Sequence, residues 1–284
     1  MAPSCCLQQF LAREPDMMAA NCSFAAKLSL LALCLAAASA APAVAQGLMS
    51  GVNLASPAFT SAEFSRADVE AMIARRQDGQ TLDLSDKSLN GLDLSNLDLS
   101  GANLRGARLN RANLAGTNLH GALLDQAWAL EADFTGANLS GAHLFGSQLL
   151  RAKMDRSDLS GARIAGDLTG ASLVGANLSG ADGSADMKNQ SMGLMHAIMR
   201  STDLRGANFT NADFSRVDME FARLNDANFS GADLSHADAA GADFSGATLA
   251  GARLEGVDLA SARIDAGSAK LFDNALNLDR ALRQ

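Results

Sequence analysis

A large apolar residue returns at every fifth position along most of this chain, and that period restricts the fold more than any other feature. The series runs Leu84, Leu89, Leu94, Leu99, Leu104, Leu109, Leu114, Leu119 and Leu124, then from Phe134 through Leu149 and Met154 to Ile164. A second tract runs from Leu204 through Phe209, Phe214 and Met219 to Ile264. Alanine usually stands two places before the apolar residue, Asp or Asn one before, and Gly two after, as in the run from Gly101 to Asn110. A period of five matches neither the 3.6 of a helix nor the 2 of a flat strand. It suits a chain that turns a corner every five residues, with the large residue and the alanine inside and glycine at the corner, where unusual torsions are cheap. Four such turns close one square coil. Coils stacked through backbone hydrogen bonds at about 4.8 Å bury a continuous core that no single coil has.

More than thirty near-tandem units between about 82 and 264 carry this pattern. It resembles the pentapeptide-repeat family. The resemblance implies an all-β solenoid, a right-handed quadrilateral parallel β-helix, here of about eight coils with short helical caps at both ends. The family is functionally diverse, so the resemblance speaks to fold far more than to activity.

The segments outside the repeat suggest export. Lys27 precedes the apolar run Leu28–Ala38, and Ala43-Val44-Ala45 offers a small-x-small cleavage site before Gln46. Residues 1–45 therefore read as a signal peptide, with translation starting at Met17 or Met18, and the destination as the periplasm. Cys5, Cys6, Cys22 and Cys34 all precede the cut, so the mature chain has neither disulfides nor a thiolate metal site. The net charge of −8 stays with the mature chain and disfavours direct binding to nucleic-acid phosphates. Residues 46–60 read as a linker and 61–78 as a capping helix starting at Ser65–Asp68. The tracts 79–183 and 201–265 read as β-helix, with a Met-rich interruption at 184–200. Residues 266–284 read as a C-terminal helix, with Leu271, Ala275, Leu278 and Leu282 on one stripe. That stripe serves either as a cap or, as the resemblance implies for some members, as a homodimer contact.

Departures from the repeat supply the candidate sites. Ile164 to Leu168 is a step of four, which predicts a tightened corner. In the interruption, Met192, Met195, His196 and Met199 share one face if the segment is helical. Thioethers and imidazole would then suit Cu(I); on a degenerate coil the same residues are packing and the cluster disperses. Leu123, Trp128, Leu130, Phe145 and Leu150 occupy outward slots that folding at four repeats per coil gathers into one apolar patch. Either segment 46–60 or the Met-rich insert covers the patch, or it is a partner-binding surface. Asp218, Asp238 and Asp258 stack on one face as an acidic strip, either solvated or open to a basic partner or divalent cation. Asp203, Arg223, Asp243 and Arg263 alternate in sign and pair.

No catalytic constellation emerges. The mature chain lacks Cys and Tyr, and His120, His143, His196 and His236 are dispersed along the repeat. The sequence favours a non-catalytic exported scaffold for protein–protein contacts, without cofactor, nucleic acid or stable membrane insertion, whose partner is an unidentified protein. The alternatives are a DNA-mimic topoisomerase inhibitor, as in quinolone-resistance members of the family, if the chain is not exported, and a periplasmic Cu(I)-binding protein.

Overall fold

The computed structural model describes residues 53–283 apart from 54, 78 and 186–194. The expected signal peptide and the first part of the linker lie outside the described residues, as do residues 186–194 of the Met-rich segment, Met192 among them.

Four columns of parallel bridges run up the repeat. Ser88, Arg108, Trp128, Gln148, Asp167, Ile198, Asp218, Asp238 and Asp258 form one column, each paired with the next. The others start at Asp83, Asp93 and Asp98. At about 4.8 Å per level the stack is about 40 Å tall. The central Leu and Phe side chains and the alanines two places before them are buried, as the spacing requires. Corners are left-handed at glycines and at residues such as Arg156 and Asn211. In the second tract the core becomes aromatic: Phe209 stacks on Phe229 at 4.7 Å, and Phe229 lies 5.9 Å from Phe244.

The register changes twice. Gln148 pairs with Asp167, a coil one residue short, which places the tightened corner where the four-residue step predicts it. Asp167 then pairs with Ile198, so this coil carries more than two repeats of extra chain. The extra residues fall in sequence between Gly183 and Ala197, and the Ala197 N–H donates to the Gly183 carbonyl at 2.9 Å. Residues 195–200 are coil, so the helical face that would gather Met195, His196 and Met199 does not form. Met199 fills a central slot and is fully buried, while Met195 and His196 are half-buried outside it.

The two ends differ from each other. The helix expected at 61–78 spans Arg66–Arg75 (α2), because Ser65 caps it in a reciprocal box with Asp68 and residues 62–63 pair with the stack instead. The Ser65 hydroxyl and N–H hold the Asp68 carboxyl below its usual range. Val69 is fully buried, and Arg66 donates to the carbonyls of Asp93 and Ser95 at 3.0 and 3.1 Å. A short turn of helix, Pro57–Thr60 (α1), precedes it.

The C-terminal α-helix is absent. Residues 266–272 and 278–280 form 3-10 turns, and Leu282–Arg283 (β2) pairs in parallel with Arg263–Ile264 (β1). The last segment thus adds an irregular final level to the stack. Its backbone is satisfied by the open edge of the coil below, and Phe272 fills a core slot 5.9 Å from Phe244. The stripe is split accordingly: Leu271 and Leu282 are exposed, and Ala275 and Leu278 pack against the core.

Candidate partner-binding surface

Trp128 stands in the bridge column between Arg108 and Gln148, and Leu123 in the column before it. The stacking brings Leu123, Trp128, Leu130, Phe145 and Leu150 onto two adjoining faces, but it does not leave them open. Leu130 is only 8% exposed and the other four are half-buried. The cover comes from the chain itself. Phe59 on α1 meets Trp128 edge-on, with ring centroids 5.1 Å apart. Such a pair adds about 1 kcal/mol beyond the area it buries. Met195 approaches Gly146, the residue after Phe145, where a Cβ would lie 3.8 Å from its Cε.

The polar frame around the patch escapes a reading of the repeat. Asn90 and Asn110 replace the usual serine after the central leucine, and both are buried. Asn90 Nδ2 donates to the carbonyls of Ala58 and Ser61, both at 3.2 Å. Its Oδ1 accepts from the N–H and Nδ2 of Asn110 at 3.0 Å, and Asn110 Oδ1 accepts from the Leu130 N–H at 3.0 Å. The Ser88 hydroxyl also donates to the Ser61 carbonyl. Glu63 lies 3.3 Å from the Arg108 guanidinium. Arg108 Nε, however, is buried and has no acceptor among the described residues. Glu131 borders the patch between Arg111 at 2.9 Å and Arg151 at 3.3 Å. The Arg111 hydrogen bond, against some burial, holds its carboxyl below the usual range. The signals that could have found this frame are Phe59 beside Pro57 and the two asparagines out of pattern.

The other candidates are dispersed or compensated. Asp218 is paired to Arg200, which also lies 3.1 Å from Glu220. Asp238 and Asp258 accept from the N–H groups of Ala240 and Ala260 at 3.1 and 2.9 Å, and Asp258 also from Asn277. The strip is therefore largely committed to its own corners. Burial first, then Asp238 and Asp218, raise the Glu220 carboxyl, with Arg200 opposing. Asp203 pairs with Arg223 at 3.2 Å and is held on two sides by Arg205. Among the described residues, no three His, Cys, Asp or Glu side chains are grouped to hold a metal ion, and no helix is long and apolar enough to cross a membrane.

A family model for pentapeptide repeats matches residues 88–127, 131–166, 167–184, 194–231 and 227–264. No curated protein matches the chain. Among solved structures it is similar to HetL, a pentapeptide repeat protein involved in heterocyst differentiation regulation in the cyanobacterium Nostoc sp. strain PCC 7120. The identity is 25% over 68% of this chain and 95% of that one, with a TM-score of 0.25. It is similar to full-length QnrB1, a plasmid-mediated fluoroquinolone resistance protein, at 19% identity over 69% and 79% of the two chains and a TM-score of 0.32. A pentapeptide repeat protein from the Arabidopsis thaliana thylakoid lumen is 27% identical over 40% and 72%, with a TM-score of 0.21.

Proposed function

Because the chain belongs to the pentapeptide-repeat family, we propose that it is a right-handed, non-catalytic β-helical scaffold, exported to the periplasm, that holds another protein on the surface around Trp128. The observation that carries this reading is the cluster of Leu123, Trp128, Leu130, Phe145 and Leu150 in slots that elsewhere mostly hold polar residues, framed by the buried Asn90 and Asn110. Apolar side chains gathered at one place on a polar repeat are what a contact surface needs. The charge pattern favours this over DNA mimicry. A phosphate mimic requires uncompensated carboxylates, whereas Asp218 and Asp203 have arginine partners. The burial of Met199 likewise removes one donor from the Cu(I) reading.

The test is capture from an envelope extract by the wild-type chain and by a Trp128→Ser, Leu150→Ser double variant. The double variant should keep the wild-type circular dichroism spectrum and lose the captured protein; an unchanged capture profile refutes the assignment. Fractionation with N-terminal sequencing tests export, where a mature chain starting at Gln46 is the expected result.

A second reading has its own observation. Leu271, Leu276 and Leu282 are each more than half exposed at the C-terminal end, beside the outer edge of β2. A second copy docking there would cover them. Leu271→Ser with Leu282→Ser should convert a dimer to a monomer in light scattering; a wild-type chain that is already monomeric rejects this reading.

A further inference from the structure

Residues 55–63 lie on the Trp128 surface as a bound peptide would. One ring, Phe59, meets the tryptophan, and the main chain on either side is held by the stack. Asn90 donates to the carbonyls of Ala58 and Ser61, and the Glu63 N–H donates to the Ser88 carbonyl at 2.8 Å. Ala62 bridges Leu89 in antiparallel sense, against the parallel columns of the coil. An aromatic anchor on a short helical turn, followed by residues that pair with the edge of the stack, combines two modes of peptide recognition, the helix in a groove and the added strand.

The helical turn that opens the segment is held lightly. α1 buries none of its residues, and Ala55, Pro57, Ala58 and Thr60 are exposed. α2, directly after it, is anchored by the fully buried Val69 and by Arg66 and Arg76 bonded to stack carbonyls. The fit is also incomplete. Among the described residues Arg108 Nε, one level from Trp128, is buried without an acceptor, although the same guanidinium reaches Glu63. A buried donor left unmade is costly, so this surface is not fully satisfied with the segment in place.

We infer that residues 55–63 are a self-bound stand-in for the partner. The partner would be a segment that presents an aromatic side chain from a short helical turn in the place of Phe59 and runs on to a carboxylate four residues later, as at Glu63. This rests on reading the Trp128 surface as the contact site. Tethering keeps the stand-in at high effective concentration, so partner binding requires its displacement.

Trp128 is the single tryptophan of the chain, so its emission reports the cover directly. In the full chain, Phe59→Ala should shift the emission to the red and raise acrylamide quenching severalfold, with the thermal unfolding of the stack unchanged. Phe59→Leu should fall between the two. A synthetic peptide of residues 55–64, added in excess to the Phe59→Ala chain, should restore the wild-type emission saturably. The same peptide carrying Phe59→Ala should not, and the wild-type emission should stay unchanged, because the tethered segment already covers Trp128. Unchanged emission in Phe59→Ala overturns the inference, and so does loss of the cooperative melt, which would make the segment part of the core. An opened variant that never responds to the peptide overturns it as well. None of these results depends on partner capture, so the contact-site reading stands or falls separately in the Trp128→Ser, Leu150→Ser experiment.

Discussion

Replacing Gly166 by alanine tests whether the short coil between Gln148 and Asp167 is tolerated only because one position lacks a side chain. A Cβ at Gly166 would lie 2.6 Å from both the carbonyl oxygen and the hydroxyl of Ser147, and 3.1 Å from the Leu144 carbonyl oxygen. Ordinary contact begins at 3.4 Å, so the backbone must give by about 0.8 Å. Two bonds are nearby: Asp167 N–H to Ser147 carbonyl and Ile198 N–H to Gly166 carbonyl, both 2.9 Å. Losing one costs about 1 kcal/mol, and the overpacking strain adds about 2 kcal/mol, for a total near 3 kcal/mol. Gly161 is the control. It sits five residues earlier at φ 63 with nothing within 4 Å of a built Cβ. Gly161→Ala therefore meets only the left-handed torsion, about 1 kcal/mol. The assay is urea unfolding followed by Trp128 fluorescence and far-UV circular dichroism, with the slopes compared to verify that only stability has changed. Equal losses in Gly161→Ala and Gly166→Ala would refute the argument that space, not torsion, is what Gly166 supplies.

Phe272→Ala should cost about 3–4 kcal/mol, since it empties a fully buried slot against Phe244 at the end of the stack; a melting-temperature drop with increased light scattering is the expected result. Ser65→Ala should cost about 1 kcal/mol and speed amide exchange in α2 before the coils. The hydroxyl and N–H of the serine two residues on hold the carboxyls of Asp83, Asp93 and Asp98 below their usual range. A depressed folded pKa stabilises fully above the unfolded value of about 4. That stability is lost as pH falls through the lower folded value, so acid titration should destabilise the first coils there, and less so in Asp93→Asn. Glu220 has the opposite sign. Its raised carboxyl, pushed up first by burial, penalises the fold while ionised, and the penalty lifts as pH falls through the folded value. Glu220→Gln should therefore stabilise at neutral pH and converge on wild type in acid, as measured by urea midpoints across pH.

The coil was legible because its determinant is local and periodic. Leu84 to Ile264 recur every five residues, and a step of four between Ile164 and Leu168 translates directly into a coil one residue short. The candidate site was half legible. Folding at four repeats per coil gathered Leu123, Trp128, Leu130, Phe145 and Leu150, because position within a coil follows from counting. The contact between Phe59 and Trp128 joins two distant parts of the chain, one of them outside the repeat, and no period reports it. The C-terminal stripe misled for a related reason. Leu271, Ala275, Leu278 and Leu282 have helical spacing, but the open edge of the last coil offers β1 as a backbone partner, and the chain takes it as β2. A local preference worth tenths of a kcal/mol per residue yields to a ready-made hydrogen-bonding edge.

What the sequence determined by itself is therefore the stack: its period, its buried leucines and phenylalanines, its corners and the place of its short coil. These follow from steric and hydrophobic rules that act within one repeat and its neighbours in the column. Only the tertiary structure decided which segments outside the repeat close its surfaces. It laid residues 55–63 over Trp128, sent Phe272 into the last core slot and left Arg108 Nε without an acceptor among the described residues. Those outcomes depend on which unsatisfied edge or apolar patch lies within reach once the coils have formed, and that is a property of the assembled surface rather than of any stretch of chain.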